Sequence, residues 1–477
     1  MNRIVIIGGG IAGLSAAYYA QKKAPEARIT LLEAGERWGG KIATDRVLFD
    51  GGQFIIEGGP DTFLASKPWA VELCKELGLS ERLHGTNPSQ KNTYVLHRNK
   101  LEPLPDGLAM MIPTNVQAIL RSSLVSWPGK ARMGLDFMLP IQPANGDESL
   151  GSFVSRRLGR EAYENLIEPL MSGIYAGNGD KLSLASTFPY LRDLELKYGS
   201  LARGALEMRK KKPSTPGSRS AFLTPTSGLA EIVEKLVERL VMKGVNLRHN
   251  APITAIQRLT PGTWNLTLQS GERIEADSII LASPAYVSGK LLESIDPGLA
   301  ADLQAIPYAS TATVTLAYHQ SDLRRALDGY GYVIPRSEGR KALACTWTST
   351  KFPHRAPQGY ALIRVFVGRA GQENDIPWNE ADLLELAREE LKLTMSISAE
   401  PIVSRVFMWD KAMPQYNLGH PEILKRIEAA LARQPGLALA GNGYCGIGIP
   451  DCIHSGELAV ERILSTEANA TTLQRTA

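Results

Sequence analysis

The alternation of hydrophobic and polar positions predicts a strand, a tight turn, a helix and a second strand at the start of the chain. An apolar run at residues 4–7 leads into a glycine-rich turn at residues 8–13, and apolar positions then repeat at helical spacing to about Lys23. A second apolar strand is expected at residues 29–33. Small residues on the helix would let it lie close to a sheet: Ala12, Ala16, Ala17 and Ala20. This order predicts a βαβ unit.

Helical periodicity dominates the next part of the chain and predicts a separate helical lobe. It covers residues 68–79, 108–139 and 150–174, with interruptions at Pro128, Pro140 and Pro143.

Strand-type patterns return in the second half of the chain. Strand alternation covers residues 245–256, a hairpin is expected at 264–268 and 273–276, and the apolar strand at 279–282 is expected to rejoin the first sheet. A second sheet with a following helix is then predicted, and the chain closes with a strand and a helix. These elements are residues 311–318, 332–334, 343–347 and 362–367, the helix 380–391, the strand 437–440 and the helix 451–463.

The composition is that of an ordinary globular protein, with 44% hydrophobic residues, 21% charged residues and a formal net charge of +4. No stretch approaches the roughly 20 apolar residues that a membrane span requires. The first strand begins almost at Met1, which leaves no room for a signal peptide. We therefore expect a cytoplasmic protein with no transmembrane segment and at most peripheral membrane contact.

The cysteines and the one basic run point to no special chemistry. Four cysteines show no paired Cys-x-x-Cys spacing, so neither a disulfide framework nor a metal site is predicted. The basic residues 209–212 lie in a stretch rich in proline, serine and glycine that ends near Ser220. We interpret this stretch as a solvated loop, and we do not expect nucleic acid as a partner.

The glycine turn has the spacing of a dinucleotide-binding fingerprint. Gly8, Gly10 and Gly13 form Gly-x-Gly-x-x-Gly between the predicted strand and helix, and Glu33 ends the next strand 20 residues after Gly13. In this pattern the first glycine makes the turn, the second lets the backbone approach a pyrophosphate and the third permits close packing of helix on sheet. The helix N-terminus would face the phosphates, and Glu33 would bind the ribose hydroxyls.

Two further glycine turns favour FAD over NAD as the cofactor. Residues 36–41 (Glu-Arg-Trp-Gly-Gly-Lys) follow the acidic strand directly and would bring backbone and positive charge to a second phosphate or the ribityl chain. Residues 58–63 (Gly-Gly-Pro-Asp-Thr-Phe) would form another close-approach turn, with N–H groups aimed at the flavin edge.

A glycine turn near the C-terminus predicts the last part of the same site. Residues 439–443 lead through Gly446, Ile447, Gly448 and Ile449 into the final helix. The positive end of that helix would face the N1–O2 region of the flavin, where negative charge collects on reduction.

Together these patterns predict an α/β fold built on a discontinuous Rossmann-type FAD-binding domain. That domain is assigned to residues 1–65, 225–295 and 430–465. Residues 66–224 are expected to form the helical lobe and part of the substrate domain, and residues 296–429 an α+β substrate-binding sheet domain.

These motifs resemble the flavin amine oxidase superfamily, and within it the porphyrinogen oxidases of haem biosynthesis. The resemblance runs essentially end to end. The superfamily motifs are residues 8–13, 37–41 and 277–284, and the narrower ones are residues 57–63, 166–177, 345–347, 413–416 and 446–453. The sequence of these motifs is most similar to that of the bacterial branch that oxidises coproporphyrinogen III.

The resemblance implies a set of FAD contacts. They are Gly8, Gly10, Ile11, Ala12, Gly13, Leu14, Ser15, Glu33, Ala34, Gly40, Lys41, Gly59, Pro60, Asp61, Thr62, Ile253, Trp409, Ile447, Gly448 and Ile449. Non-covalent FAD is expected, because the surroundings of Cys445 do not repeat the sequence of the covalent amine oxidases. Lys67, three residues past Leu64, is a hypothesised ligand for a substrate carboxylate.

The implied reaction is oxidation of coproporphyrinogen III to coproporphyrin III, with O₂ as acceptor. Removing six electrons on one flavin takes three two-electron cycles, each releasing H₂O₂. No catalytic side chain is identified, because hydride transfer to flavin N5 asks the protein for positioning and electrostatics. Transient contact with other haem-pathway enzymes is also expected. The alternatives are protoporphyrinogen IX oxidation, a flavin amine or carotenoid oxidase, and a catalytically idle flavoprotein scaffold.

Overall fold

The computed structural model describes residues 2–49, 51–90, 92–109, 112–113, 115–143, 146–211, 220–260 and 263–476. The helices are α1 Ile11–Lys23, α2 Pro68–Glu76, α3 Val116–Arg121, α4 Trp127–Gly134, α5 Leu150–Leu158, α6 Arg160–Ala162, α7 Glu168–Tyr175, α8 Leu184–Thr187, α9 Pro189–Tyr198, α10 Leu201–Lys211, α11 Ala230–Met242, α12 Ala285–Leu292, α13 Pro297–Gln304, α14 Thr348–Lys351, α15 Glu380–Met395, α16 His420–Leu431 and α17 Ile449–Thr476.

The strands are mostly short, and the longest belong to the second half of the chain. They are β1 Arg3–Ile7, β2 Arg28–Leu32, β3 Thr44–Phe49, β4 Gly52–Glu57, β5 Phe63–Leu64, β6 Leu83–Gly85, β7 Asn92–His97, β8 Lys100–Pro103, β9 Leu108–Ala109, β10 Ile112–Pro113, β11 Phe222–Pro225, β12 Asn246–Arg248, β13 Ile253–Thr260, β14 Thr263–Leu268, β15 Arg273–Ala276, β16 Ser278–Leu281, β17 Tyr308–His319, β18 Gly329–Val333, β19 Ala342–Trp347, β20 Tyr360–Val367, β21 Val403–Pro414 and β22 Leu437–Leu439.

The glycine-rich N-terminus belongs to a five-stranded parallel sheet. Its order is β12-β2-β1-β16-β22, and the central strand β1 pairs with β2 and β16. The predicted βαβ unit is therefore confirmed, and so is the return of the strand near residue 280 to this sheet. All five strands come from the three segments assigned to the FAD-binding domain, whose boundaries stay predictions.

A second sheet has seven strands in the order β21-β17-β20-β19-β18-β7-β8. The predicted strands at 311–318, 332–334, 343–347 and 362–367 are confirmed as its centre, and the neighbouring pairs β17–β20 and β19–β20 are antiparallel. On β20 the side chains of Ile363, Val365 and Val367 are buried in the core that includes α15. Because side chains alternate along a strand, Arg364 and Phe366 point to the opposite face.

Two local predictions are wrong, and a third is confirmed with a break. Residues 108–109 and 112–113 pair as β9 and β10, and the helix begins only at Val116, where the Asn115 side chain accepts a hydrogen bond from the N–H of Ala118. The strand pattern at 245–256 is confirmed as two strands, β12 and β13, which lie in different sheets. The basic residues 209–211 end helix α10, while residues 212–219 of the predicted loop lie outside the described residues.

The first and last helices pack directly against each other beside the parallel sheet. Ala12, Ala16 and Ala17 of α1 share a core with Ile453, Val460 and Ile463 of α17. Gly456 makes this approach close, because a Cβ there would lie 2.5 Å from the Ala12 carbonyl oxygen and 2.9 Å from the Ala16 nitrogen. No helix within the described ranges combines the length and apolar character needed to cross a bilayer.

The close approach at Gly456 gives a test of this packing. We expect Gly456→Ala to lower the free energy of unfolding by about 1–3 kcal/mol, because the added methyl group overpacks a backbone contact. Thermal and urea unfolding measure the change. Gly134→Ala is the matched control, because nothing lies within 4 Å of its Cβ position at the end of helix α4. Equal stability of the two variants would contradict the packing.

Candidate cofactor and substrate site

The N-terminus of α1 is an open backbone cradle. Gly10 is the N-cap of the helix and provides no side-chain cap, so the first N–H groups of the helix remain available to a ligand. A Cβ on Gly10 would meet only the Gly40 Cα, at 3.9 Å. Gly13 differs, because a Cβ there would lie 1.8 Å from the Gly8 carbonyl oxygen. Gly10 therefore keeps space for a ligand, whereas Gly13 permits the turn itself.

Glu33 supports the glycine turn from the end of β2. One carboxylate oxygen accepts a hydrogen bond from the Gly9 N–H at 2.6 Å, and the other accepts one from the Gly35 N–H at 2.7 Å. The side chain is half-buried, and both oxygens keep lone pairs for further donors. Binding of the ribose hydroxyls by Glu33 stays a prediction, and holding the turn is a second role that the sequence did not indicate.

The loop at residues 37–41 lies against the glycine turn. The Gly39 N–H donates to the Gly9 carbonyl oxygen at 2.8 Å, and Gly10 and Gly39 form an isolated parallel bridge. A Cβ on Gly40 would lie 3.0 Å from the Gly10 Cα, so the two backbones meet without side chains between them. The first two predicted phosphate-binding segments are thus adjacent.

Lys41 brings a cation into this region that pairs with no carboxylate among the described residues. Its Nζ lies 3.4 Å from Oδ1 of Asn442 and 6.0 Å from the centre of the Tyr308 ring. Burial lowers the pKa of Lys41 to about 8. An anionic ligand would remove this penalty, so the lysine fits the phosphates of FAD.

The third segment, the turn at residues 58–62, contacts Lys41 through its backbone. A Cβ on Gly59 would lie 1.8 Å from the Lys41 carbonyl oxygen, so only glycine allows this approach. The Gly58 carbonyl oxygen accepts hydrogen bonds from the second sheet. The donors are Thr313 Oγ1 at 2.8 Å, Trp409 Nε1 at 2.9 Å and Arg364 Nη2 at 3.1 Å.

A buried network of charges lies behind this turn. The Arg355 guanidinium donates to Glu57 at 3.1 Å and to the Asp61 carbonyl oxygen at 2.9 Å, and Lys351 pairs with the Asp61 carboxylate at 2.9 Å. Burial alone would raise the pKa of Asp61, but Lys351, Arg355 and Arg364 hold it well below its usual range. Burial lowers the pKa of Arg364 to about 10.

Sequence reasoning missed most of this network. Arg364 carried the one usable signal, since it is a lone charge within the apolar strand β20. A charged residue at the centre of such a strand must have partners when it is buried. Arg355 and Lys351 lie on short helical turns, where nothing in the local pattern marks a functional side chain.

The C-terminal turn is fixed by Tyr416. Its hydroxyl donates to the Asn442 carbonyl oxygen at 2.6 Å and accepts from the Gly446 N–H at 2.9 Å. Helix α17 then begins at Ile449, as the sequence predicted to within two residues. The final helix therefore starts next to the turn that was assigned to the flavin.

These contacts connect the predicted FAD-binding segments one to the next. Gly10 meets Gly40, Lys41 meets both Gly59 and Asn442, and the turn at Gly59 meets the second sheet at Trp409. Ile253 lies two residues past Ala251, whose N–H donates to the Glu33 carbonyl oxygen at 2.8 Å. The others lie on the same segments: Gly8, Ile11, Ala12, Gly13, Leu14, Ser15, Ala34, Pro60, Asp61, Thr62, Ile447, Gly448 and Ile449. We propose that all of them form the cofactor site.

Lys67 has a protein partner of its own. Its Nζ lies 2.6 and 2.7 Å from the two carboxylate oxygens of Asp451, in the first turn of α17. The side chain keeps 40% of its surface exposed, so the ion pair does not enclose the lysine. A substrate carboxylate would have to share Lys67 with Asp451, and this role stays a hypothesis.

The family of flavin-containing amine oxidoreductases matches the chain over residues 11–464. The chain belongs to this family. A curated relative named coproporphyrinogen III oxidase, from Bacillus subtilis, is 39% identical over 97% of this chain and 98% of its own length. Tobacco chloroplast protoporphyrinogen oxidase is 30% identical over 96% of this chain and 84% of its own length.

A solved structure shares the fold of this chain at a sequence identity similar to that of these relatives. A crystal structure of a protein from Exiguobacterium sp. 255-15 matches with a TM-score of 0.85 at 34% identity, covering 97% of this chain and 98% of its own. The family match establishes the α/β flavin-binding fold, FAD as the cofactor and an FAD-dependent oxidoreductase. The open cradle at Gly10 and the unneutralised Lys41 fit that cofactor.

The different surroundings of Gly10 and Gly13 lead to opposite expectations for two variants. We expect Gly10→Val to fold but to lose bound FAD, because its side chain occupies the space of the pyrophosphate. Gly13→Ala should lose both FAD and thermal stability, because its methyl group clashes with the Gly8 carbonyl group. The measurements are the flavin absorbance of purified protein and the Tm of FAD-free protein. A yellow Gly10→Val protein would disprove the cradle.

Lys41 predicts how FAD affinity depends on pH. Phosphates favour the charged amine, so the pKa of Lys41 is higher in the complex than its value of about 8 in free protein. The Kd for FAD should therefore be lowest below about pH 8 and rise above it, by up to about tenfold per pH unit. Fluorescence titration of FAD-free protein measures this dependence.

Two variants control the Lys41 prediction. Lys41→Arg keeps its charge and should bind FAD without this pH dependence. Lys41→Met should weaken binding about 10- to 100-fold below pH 8, the worth of one charge-assisted hydrogen bond. A wild-type Kd that stays constant up to about pH 10 would contradict the role of Lys41.

Proposed function

We propose that this chain oxidises coproporphyrinogen III to coproporphyrin III in haem biosynthesis, using FAD and O₂ and releasing three H₂O₂. The observation that carries the proposal is the full-length likeness at 39% identity to a coproporphyrinogen III oxidase. The tobacco chloroplast protoporphyrinogen oxidase is less similar, at 30% identity. The adjacent glycine turns at Gly10, Gly40 and Gly59, together with the Lys41 cation, support flavin chemistry.

The substrate lies against the second sheet in this proposal. Arg364 of β20 contacts the Gly58 and Gly59 carbonyl oxygens, and the Phe366 ring lies 4.6 Å from the Arg364 guanidinium on the same face. Phe366 packs with Leu343, Ala344 and Ala176 in an apolar cluster. An apolar wall beside the turn at Gly58 and Gly59 suits the apolar faces of a tetrapyrrole macrocycle.

FAD, when bound, accepts two electrons as hydride in each cycle. The chain's own residues position the reactants and exclude water. Trp409 and Arg364 fix the turn at Gly58 and Gly59, and the apolar wall around Phe366 would hold the macrocycle next to it. No strong base is needed, because the porphyrinogen is itself electron-rich.

Lys67 is proposed as a ligand for one propionate of the substrate. It lies four residues past Phe63, at the start of α2, and is partly exposed. Action in the cytoplasm, O₂ as the acceptor and transient contact with other haem-pathway enzymes also stay proposals.

Two other enzyme classes and one scaffold role are the competing functions. A flavin amine oxidase would turn over amines, a carotenoid oxidase would use an uncharged polyene, and a scaffold would turn over nothing. A porphyrinogen assay separates all three from the proposal, since only porphyrin formation gives a Soret band. One anaerobic mixing experiment with porphyrinogen, in which the loss of flavin absorbance is monitored, therefore tests the proposal directly.

We expect a higher kcat/KM for coproporphyrinogen III than for protoporphyrinogen IX. Coproporphyrinogen carries four propionates, whereas protoporphyrinogen has vinyl groups in place of two. A pocket built for four carboxylates loses roughly 1–3 kcal/mol for each cation left without a partner. The measurement is the initial rate of porphyrin fluorescence in detergent-free buffer, with H₂O₂ counted for each porphyrin formed.

The outcomes separate the alternatives. Equal or reversed specificity would favour protoporphyrinogen IX as the substrate. A yield of one H₂O₂ per porphyrin, in place of three, would contradict the three-cycle reaction. Lys67→Ala should raise KM more than it lowers kcat, because a remote charge contact binds ground state and transition state about equally.

A further inference from the structure

The ion pair between Lys67 and Asp451 joins two segments that the proposed function places around the flavin. Lys67 is the N-cap of α2, just past the turn at Gly59, and Asp451 lies in the first turn of α17. Both carboxylate oxygens contact the same Nζ, at 2.6 and 2.7 Å. Asp451 keeps only 11% of its side chain exposed, so its charge is mostly removed from water.

A second contact holds the same two helices together. The Trp69 ring stacks on the His454 ring with centroids 4.1 Å apart and planes 8° from parallel. Trp69 lies two residues after Lys67, and His454 lies three residues after Asp451. The start of α2 is therefore fixed on the start of α17 by one ion pair and one ring-stacking contact.

The Asp451 carboxylate also lies directly beneath the C-terminal glycine turn. A Cβ on Gly446 would be 2.4 Å from the Asp451 Cγ, and one on Gly448 would be 3.0 Å from its Oδ2. This turn is the segment assigned to the pyrimidine side of the flavin. The carboxylate is thus in contact with the backbone that faces the ring system.

A carboxylate at this place opposes the electrostatic role of the helix. The N-terminus of α17 offers positive potential to the N1–O2 region, where negative charge collects on reduction. An unpaired Asp451 would cancel that potential, and the charge on Lys67 restores it. Because the Asp451 carboxylate is largely shielded from water, its effect on a neighbouring charge is only weakly screened.

We propose that Lys67 and Asp451 are positioning residues that set the reduction potential of the bound flavin. The negative charge of Asp451 acts on the flavin across the Gly446–Gly448 turn. Lys67 acts on the flavin by neutralising that charge. The inference rests on the proposed function only in that FAD occupies the site, and it requires no particular substrate.

The test is the reduction potential of bound FAD in a charge series. Lys67→Met leaves the carboxylate unpaired and should lower the potential, whereas Asp451→Asn leaves the lysine unpaired and should raise it. We expect each variant to change the ratio of affinities for reduced and oxidised FAD about tenfold, or about 30 mV for a two-electron couple. The double variant should return close to the wild-type potential.

Trp69→Leu is the matched control. It removes the ring-stacking contact between the same helices without changing the ion pair, so it should lower the Tm and leave the potential unchanged. Potentials that move in one direction in both single variants, or that do not move, would overturn the proposal. A double variant that keeps the potential of either single variant would overturn it as well.

Substrate binding by Lys67 is separable from this role. If Lys67 also binds a propionate, the double variant keeps a raised KM although its potential is restored. Failure of the cofactor assignment would be visible earlier, as wild-type protein that holds no FAD. A protein that binds FAD but turns over no porphyrinogen would refute the proposed substrate and still allow the potentials to be measured.

Discussion

The carbonyl oxygen of Gly58 is the point on which the rest of the site depends. Thr313, Arg364 and Trp409 of the seven-stranded sheet all donate to it, within 2.8–3.1 Å. Gly58 is also tied to the cofactor side, because its N–H donates to the Ala43 carbonyl oxygen at 2.7 Å. The backbone of one residue therefore links the loop that follows Lys41 to the seven-stranded sheet.

Buried cations lie on both sides of the turn at Gly58. Lys41 on one side of the turn and Arg364 on the other both have pKa values lowered by burial, to about 8 and about 10. Within the described part of the chain, Lys41 has no carboxylate partner, whereas Lys351 is paired with Asp61 and Lys67 with Asp451. Lys41 thus lies where phosphates are expected. Lys351 and Lys67 instead join segments of the protein through their ion pairs.

Local errors in the sequence predictions have local causes. Residues 108–113 follow a helical pattern, yet residues 108–109 pair with 112–113 as strands, and the helix has its capped start only at Asn115. The pattern at 245–256 predicts strand structure correctly, although alternation cannot show that β12 and β13 pair with different sheets. The periodicity of side chains records burial and not the partner that buries them.

The sequence by itself determined the βαβ unit and the cofactor class, because glycine at Gly13 and Gly59 meets steric needs of the backbone, and glycine at Gly10 leaves open space, which short motifs record. The tertiary structure alone decided the partners of buried charges. Arg355 meets Glu57 across 298 residues of chain, and Lys67 meets Asp451 across 384. Such pairs depend on the packing of distant elements, and no spacing along the chain encodes that packing.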